Sequence, residues 1–79
     1  MVIRTQDDSA IYDVDKLLSI YVQKSDNEED TYYHVFGLSY AGEMAFDLGS
    51  YNNEERAKEV VGEIFALCNS STLYEMPVV

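Results

Sequence analysis

Few side chains in this chain could do chemistry. Among its 79 residues are one histidine, His34, and one cysteine, Cys68. A nucleophile–base pair would need Cys68 or a serine beside His34. Cys68 falls on an apolar helical stripe, where a cysteine is an inert hydrophobe. His34 falls mid-strand among aromatic residues. Neither setting activates a nucleophile, so no enzymatic activity is expected. Metal binding has equally little to work with. Zinc would need four His or Cys ligands, and the chain has two. Asp26, Glu28 and Asp30 alternate within residues 25–30 (SDNEED), faintly as in a calcium loop. The turn glycine and the closing bidentate Glu of such a loop are missing. The segment reads as a solvated turn. Paired acids such as Asp7/Asp8 and Glu54/Glu55 lack the apolar pocket that makes a general acid. The four glycines are scattered, so no phosphate-cradling loop is present. Neither a metal nor a cofactor is expected.

The scarce bases carry more information. Arg4, Lys16, Lys24, Arg56 and Lys58 face 15 acids, for a formal charge of -10. Arg4 lies near Gln6 on the first strand. Arg56 and Lys58 fall in the first turns of a helix, whose backbone N–H groups also favour anions. Tyr51 and Tyr12 are aromatic neighbours that could stack on a base. One copy offers too little positive charge to hold a phosphate strongly. Several copies around a symmetry axis would offer more.

The element that must position Arg56 is the clearest in the chain. Asn52 reads as an N-cap, with Glu55 three residues on as its capping-box partner. Ala57, Val60, Val61, Ile64, Leu67 and Cys68 recur at helical spacing on one stripe. The helix is predicted to end near Asn69. Gly62 sits mid-helix beside Phe65 and Lys58, where a partner's backbone could approach closely. Upstream the period is two. Residues 18–22, 31–40 and 44–48 read as strands, joined by SDNEED and by a tight turn at Ala41-Gly42. The middle strand is apolar on both faces, with Tyr32, Phe36 and Leu38 on one and Tyr33 and Val35 on the other. It must be central or face a partner. Residues 2–5 and 10–12 flank a hairpin loop, and residues 73–76 return as a short edge strand ended by Pro77. The expected fold is α+β: a small antiparallel sheet of about five strands, one C-terminal amphipathic helix on one face, and a short last strand. Patterning fits either an open sheet or a barrel. An open aromatic face suits self-association, which places Tyr33, Val35, Gly62 and Phe65 at a partner interface.

Length fits one domain, residues 1–79, with a stability of about 4–12 kcal/mol. Leu, Ile, Val and Phe make up 21 residues, enough to exclude disorder. No apolar run approaches the ~20 residues of a membrane span, and the first ten residues lack the apolar core of a signal peptide. A single cysteine fits a reducing cytoplasm. The acids are spread evenly, -5 over residues 1–40 and -5 over residues 41–79. Direct binding to nucleic acid is therefore not expected.

Three segments together resemble a known group. IRTQD near the start, LGSYNNEERAKEVVGEI in the middle and YEMP near the end are similar to the pattern I-R-S-Q-D, L-G-x-Y-x-T-x-E-R-A-K-E-V-L-x-E-I and Y-x-M-P. That pattern marks small proteins of phages, prophages and mobile elements of Gram-positive bacteria (Firmicutes), a group without an assigned activity. Thr5, Asn53 and Val61 depart from its usual Ser, Thr or Ser, and Leu. The resemblance implies a phage or mobile-element origin and action in the cytoplasm of a bacterial host. Short accessory phage proteins are often counter-defence factors, and two mechanisms fit. In the first, a homo-oligomer sequesters a nucleotide-type immune signal through Arg4, Gln6, Tyr51 and Arg56. In the second, the acidic surface mimics DNA and inhibits a basic host enzyme such as a CRISPR nuclease, with Asp26, Glu28, Glu29 and Asp30 as the acidic cluster. A third reading is a phage structural or regulatory interaction protein.

Overall fold

The computed structural model describes residues 1–27, 29–40 and 44–79. Alternating apolar residues form strands β1 (Val2–Arg4), β2 (Ile11–Asp13), β3 (Leu17–Asp26), β4 (Thr31–Ser39) and β5 (Ala45–Tyr51). The helix α1 (Glu54–Leu67) follows, and then β6 (Leu73–Glu75). A single 3-10 turn, Val14–Lys16, joins β2 to β3. The element order matches the sequence reading, but the sheet does not. Instead of one sheet of about five strands there are two of three, ordered β2–β1–β6 and β3–β4–β5. The last strand is also not an antiparallel addition. It runs parallel to β1, with Val2 opposite Leu73 and Arg4 opposite Glu75. A parallel neighbour needs a long crossover, here the whole chain between them.

β4 is the central strand of its sheet, and that is why both its faces are apolar. Val35 is fully buried and Tyr33 packs against the core. Val35 therefore belongs to the interior and not to a partner interface, because its strand face is the one α1 covers. The opposite face carries half-buried Tyr32, His34, Phe36 and Leu38. Two irregularities break strict alternation. Val35 pairs with Gly49 but Phe36 with Asp47, so Leu48 is an extra residue in β5. The bulge drives Leu48 into the core, where it is 1% exposed. In β3 the pairing steps from Leu17 to Ser19, leaving Leu18 as the extra residue, 55% exposed.

One core serves all three layers. Met1, Ile3, Tyr74 and Met76 come from the first sheet and its flanks. Val35, Leu48 and Tyr51 come from the second, and Ala57, Val60 and Ile64 from α1. The helix starts one residue later than expected. Asn53, not Asn52, is the N-cap, and its side-chain oxygen accepts from the N–H groups of Glu55 (2.7 Å) and Arg56 (3.3 Å). Cys68 caps the other end and is only half-buried, because the buried stripe stops at Ile64. Gly62 and Phe65 lie on the exposed side of α1, with nothing within 4 Å of a Cβ built on Gly62. The turn expected at Ala41-Gly42 lies outside the described residues.

Gly49 is a close-approach position. A Cβ there would meet Gln6 Cβ and the Tyr51 hydroxyl at 3.2 Å and Met76 Cε at 3.3 Å. Gly49→Ala should lower stability by about 1–3 kcal/mol through overpacking. Urea unfolding checks this, and an unchanged midpoint would mean that the three neighbours yield freely.

Candidate functional site

Gln6 stands just past β1, where the two sheets meet. Its backbone N–H donates to Leu48 O at 2.9 Å. Its side chain then behaves as a short piece of strand. Oε1 accepts from the Ser50 N–H at 2.9 Å, and Nε2 donates to Ser50 O at 3.0 Å. Nε2 also lies 3.0 Å from Pro77 O and 3.2 Å from Val78 O. Only a primary amide supplies an acceptor and two donors in this arrangement. The turn that follows holds the backbone in place. Asp7 Oδ1 accepts from the hydroxyls of Thr5 and Ser9, which draws the Asp7 carboxyl below its ordinary value. Asp8 occupies the left-handed region at φ 61, a conformation that Asp tolerates better than most residues.

Two more of the sequence-predicted residues reach the same segment. The Tyr51 hydroxyl donates to Pro77 O at 2.8 Å. Arg56 donates from Nε to Val79 O at 3.1 Å. Gln6, Tyr51 and Arg56 thus hold a strap of residues 77–79 by its carbonyl oxygens, while Val78 and Val79 expose their side chains. Beside the strap lies a cleft of about 220 Å³, lined by Ser50, Tyr51, Asn52, Asn53, Arg56 and the two valines. A second cleft of about 220 Å³ lies on the other side of Ser50, with Gln6, Asp7 and Asp47 on its wall. Arg4 lines neither cleft. Its guanidinium pairs with Glu75 across the parallel strands at 2.9 Å.

Electrostatics limit what the first cleft can hold. Arg56 Nη1 also lies 3.3 Å from Glu59 and 3.4 Å from Glu63. Glu54 and Glu55 occupy the first helical turn, and Asn53 already takes two of its N–H groups. The positive end of the helix is thereby largely answered from within. Arg56 is thus shared among a strap carbonyl and two carboxylates.

Chemistry elsewhere is sparse. His34 Nδ1 lies 3.1 Å from Asp47 Oδ2, and its ring stacks on Phe36 at 5.6 Å. Ser50 is its cross-strand neighbour, yet among the described residues no hydrogen bond joins the Ser50 hydroxyl to the imidazole. Cys68 lies at the far end of α1 against β3. Among the described residues no three His, Cys, Asp or Glu side chains converge as metal ligands do. Among the described residues no helix is long and apolar enough to cross a membrane. Of the acidic cluster, Asp26, Glu29 and Asp30 are exposed, and Glu28 lies outside the described residues. The strap itself escaped sequence reasoning, since backbone carbonyls carry no residue signature. Pro77 was legible only as a strand terminator.

No family model matches the chain, and neither does any curated protein or solved structure.

Two buried tyrosines, Tyr51 at the strap and Tyr74 on β6, yield a pH prediction. Burial pushes the Tyr51 hydroxyl up from 10.0 to about 12, opposed by Arg56 and aided by Glu63. Burial also raises Tyr74, whose hydroxyl donates to Glu63 Oε1 at 2.7 Å. Both groups are held neutral in the fold. Above the unfolded value near 10 the unfolded chain releases these protons first, so stability falls as pH rises towards 12. Denaturant midpoints across that window should fall less steeply in a Tyr51→Phe/Tyr74→Phe variant. Parallel slopes would assign the alkaline loss to other groups.

Proposed function

We propose that this is a non-catalytic binding module that works as a homo-oligomer, and that it sequesters a nucleotide-type signal. The role would be counter-defence by a phage or mobile element in the cytoplasm of a bacterial host. The observation that supports it is the convergence of three donors on one strap. Gln6 Nε2, Tyr51 Oη and Arg56 Nε all point at carbonyl oxygens of residues 77–79. Oxygens of a nucleotide's sugar, base or phosphate are acceptors of the same kind, and Tyr51 and the asparagines line the adjoining space. Arg4 lines neither cleft of its own chain, so it would enter such a site only from another copy, exchanging its pair with Glu75 for the ligand.

A second reading has its own support. Arg4, Lys24, Arg56 and Lys58 are each within 4.0 Å of a carboxylate. The surplus acid is therefore left uncompensated on the surface, with Asp7, Asp8, Asp13, Asp15, Glu29 and Asp30 all exposed. Such a surface suits a basic host protein whose groove normally holds nucleic acid.

Native mass spectrometry of protein from bacterial cytosol, before and after incubation with an infected-cell extract, separates the two. Sequestration predicts an oligomer that gains a stoichiometric nucleotide mass. Arg56→Ala should weaken that uptake by about tenfold or more, the loss of a charged hydrogen bond. Neutralising Asp26, Glu29 and Asp30 should leave uptake unchanged. Mimicry predicts no small-molecule mass, and binding to a basic host protein that weakens steeply with salt. Indifference to both sets of substitutions would sink both readings.

A further inference from the structure

Residues 77–79 are held almost entirely by side chains. The last backbone–backbone hydrogen bond before them is Met76 N–H to Arg4 O at 3.1 Å, and Met76 itself is buried. Beyond it, among the described residues, the strap makes no backbone–backbone hydrogen bond. Pro77 has no N–H to offer. Val78 and Val79 are 74% and 86% exposed, so little apolar contact holds them. What remains is a set of side-chain donors. Gln6 Nε2 reaches Pro77 O and Val78 O, Tyr51 Oη reaches Pro77 O, and Arg56 Nε reaches Val79 O. The net gain from a few such bonds is of the same order as the cost of ordering three residues of chain. The strap is therefore close to balance between held and free.

The donors, by contrast, are fixed without it. Gln6 is bonded to both backbone groups of Ser50. Arg56 Nη1 lies 3.3 Å from Glu59 and 3.4 Å from Glu63. Glu63 in turn accepts from the hydroxyl of buried Tyr74 at 2.7 Å. Tyr51 is part of the core. Lifting the strap would leave three oriented donors without their acceptors, beside the cleft of which Val78 and Val79 form one wall. A donor left unanswered is costly, so such a site favours incoming oxygens.

We propose that residues 77–79 are a latch. Their own oxygens occupy the donors that a ligand's oxygens would take, and the segment pivots at Pro77 to admit that ligand. The proposal rests on the ligand-binding reading above and adds its regulation. Binding then exchanges one set of acceptors for another and needs no rearrangement of the sheets. β6 stays paired throughout, because Tyr74 and Met76 remain in the core. The apparent affinity is set by the fraction of molecules in which the latch is open.

Titration calorimetry with cyclic AMP tests this on the full chain, on a chain ending at Met76 and on Pro77→Gly. Circular dichroism checks that each keeps the native fold. Removing the strap should tighten binding by about tenfold. Pro77→Gly keeps every donor and acceptor but makes closure costlier in entropy, and should tighten binding by about threefold. It carries the comparison if the shortened chain does not fold. Equal affinity in all forms overturns the latch and leaves the binding reading standing. Weaker binding without the strap makes residues 77–79 part of the site, and also overturns the latch. Binding by none of the forms overturns the nucleotide reading at this site. Methyl relaxation dispersion at Val78 and Val79 then decides the latch by itself. Microsecond-to-millisecond exchange that grows in Pro77→Gly supports it, and flat profiles in both chains overturn it.

Discussion

The amide of Gln6 is the constraint on which the rest of this structure depends. Two small sheets must share one core, and their junction is a strand edge with exposed backbone groups. A third strand could have satisfied that edge. Here one side chain does so, taking the N–H and C=O of Ser50 together. Each bond is worth only about 1 kcal/mol net, but a buried group left without its partner costs more. The same nitrogen also reaches Pro77 and Val78. Sheet junction and strap therefore share one side chain. Gly49 makes room for it, since any larger residue would press on Gln6 from β5.

Around that junction the chain separates apolar and charged groups thoroughly. The ten core side chains come from β1, β4, β5, α1 and β6 and from the methionines that flank β1 and β6. Thr5 is the one buried polar side chain among the described residues, and it is hydrogen-bonded. The ion pairs all lie in reach of water, where such pairs contribute little. They matter more for what they leave over. With the bases largely answered by neighbouring acids, the field around the molecule is that of the remaining carboxylates. The groove between β3 and α1 is lined without a charged residue of its own.

Much of the fold was legible in the sequence, because its signals are local. Period-two runs located β3, β4 and β5, and the stripe of Ala57, Val60 and Ile64 located the helix. The errors all come from longer range or finer scale. The parallel pairing of Val2 with Leu73 joins residues at opposite ends of the chain, and no periodicity records it. Asn52 and Asn53 are equally good caps by type, and only the backbone decides between them. The Leu18 and Leu48 bulges interrupt alternation that reads as continuous. Residue type drew attention to Gln6, Tyr51 and Arg56, which meet at the strap of residues 77–79. It also named Arg4, which charge complementarity diverts to Glu75. Val35 looked like a surface residue because a central strand and a partner-facing strand share one pattern.

The parallel β1–β6 pairing also orders events in time. β1 finds its second neighbour only when β6, about 70 residues later, has emerged. Until then one edge of β1 stays open, and Ile3 lacks the layer that Tyr74 and Met76 provide. Contacts this distant in sequence slow folding, since loop closure precedes any reward. The nascent chain therefore cannot mature piecemeal from its N-terminus.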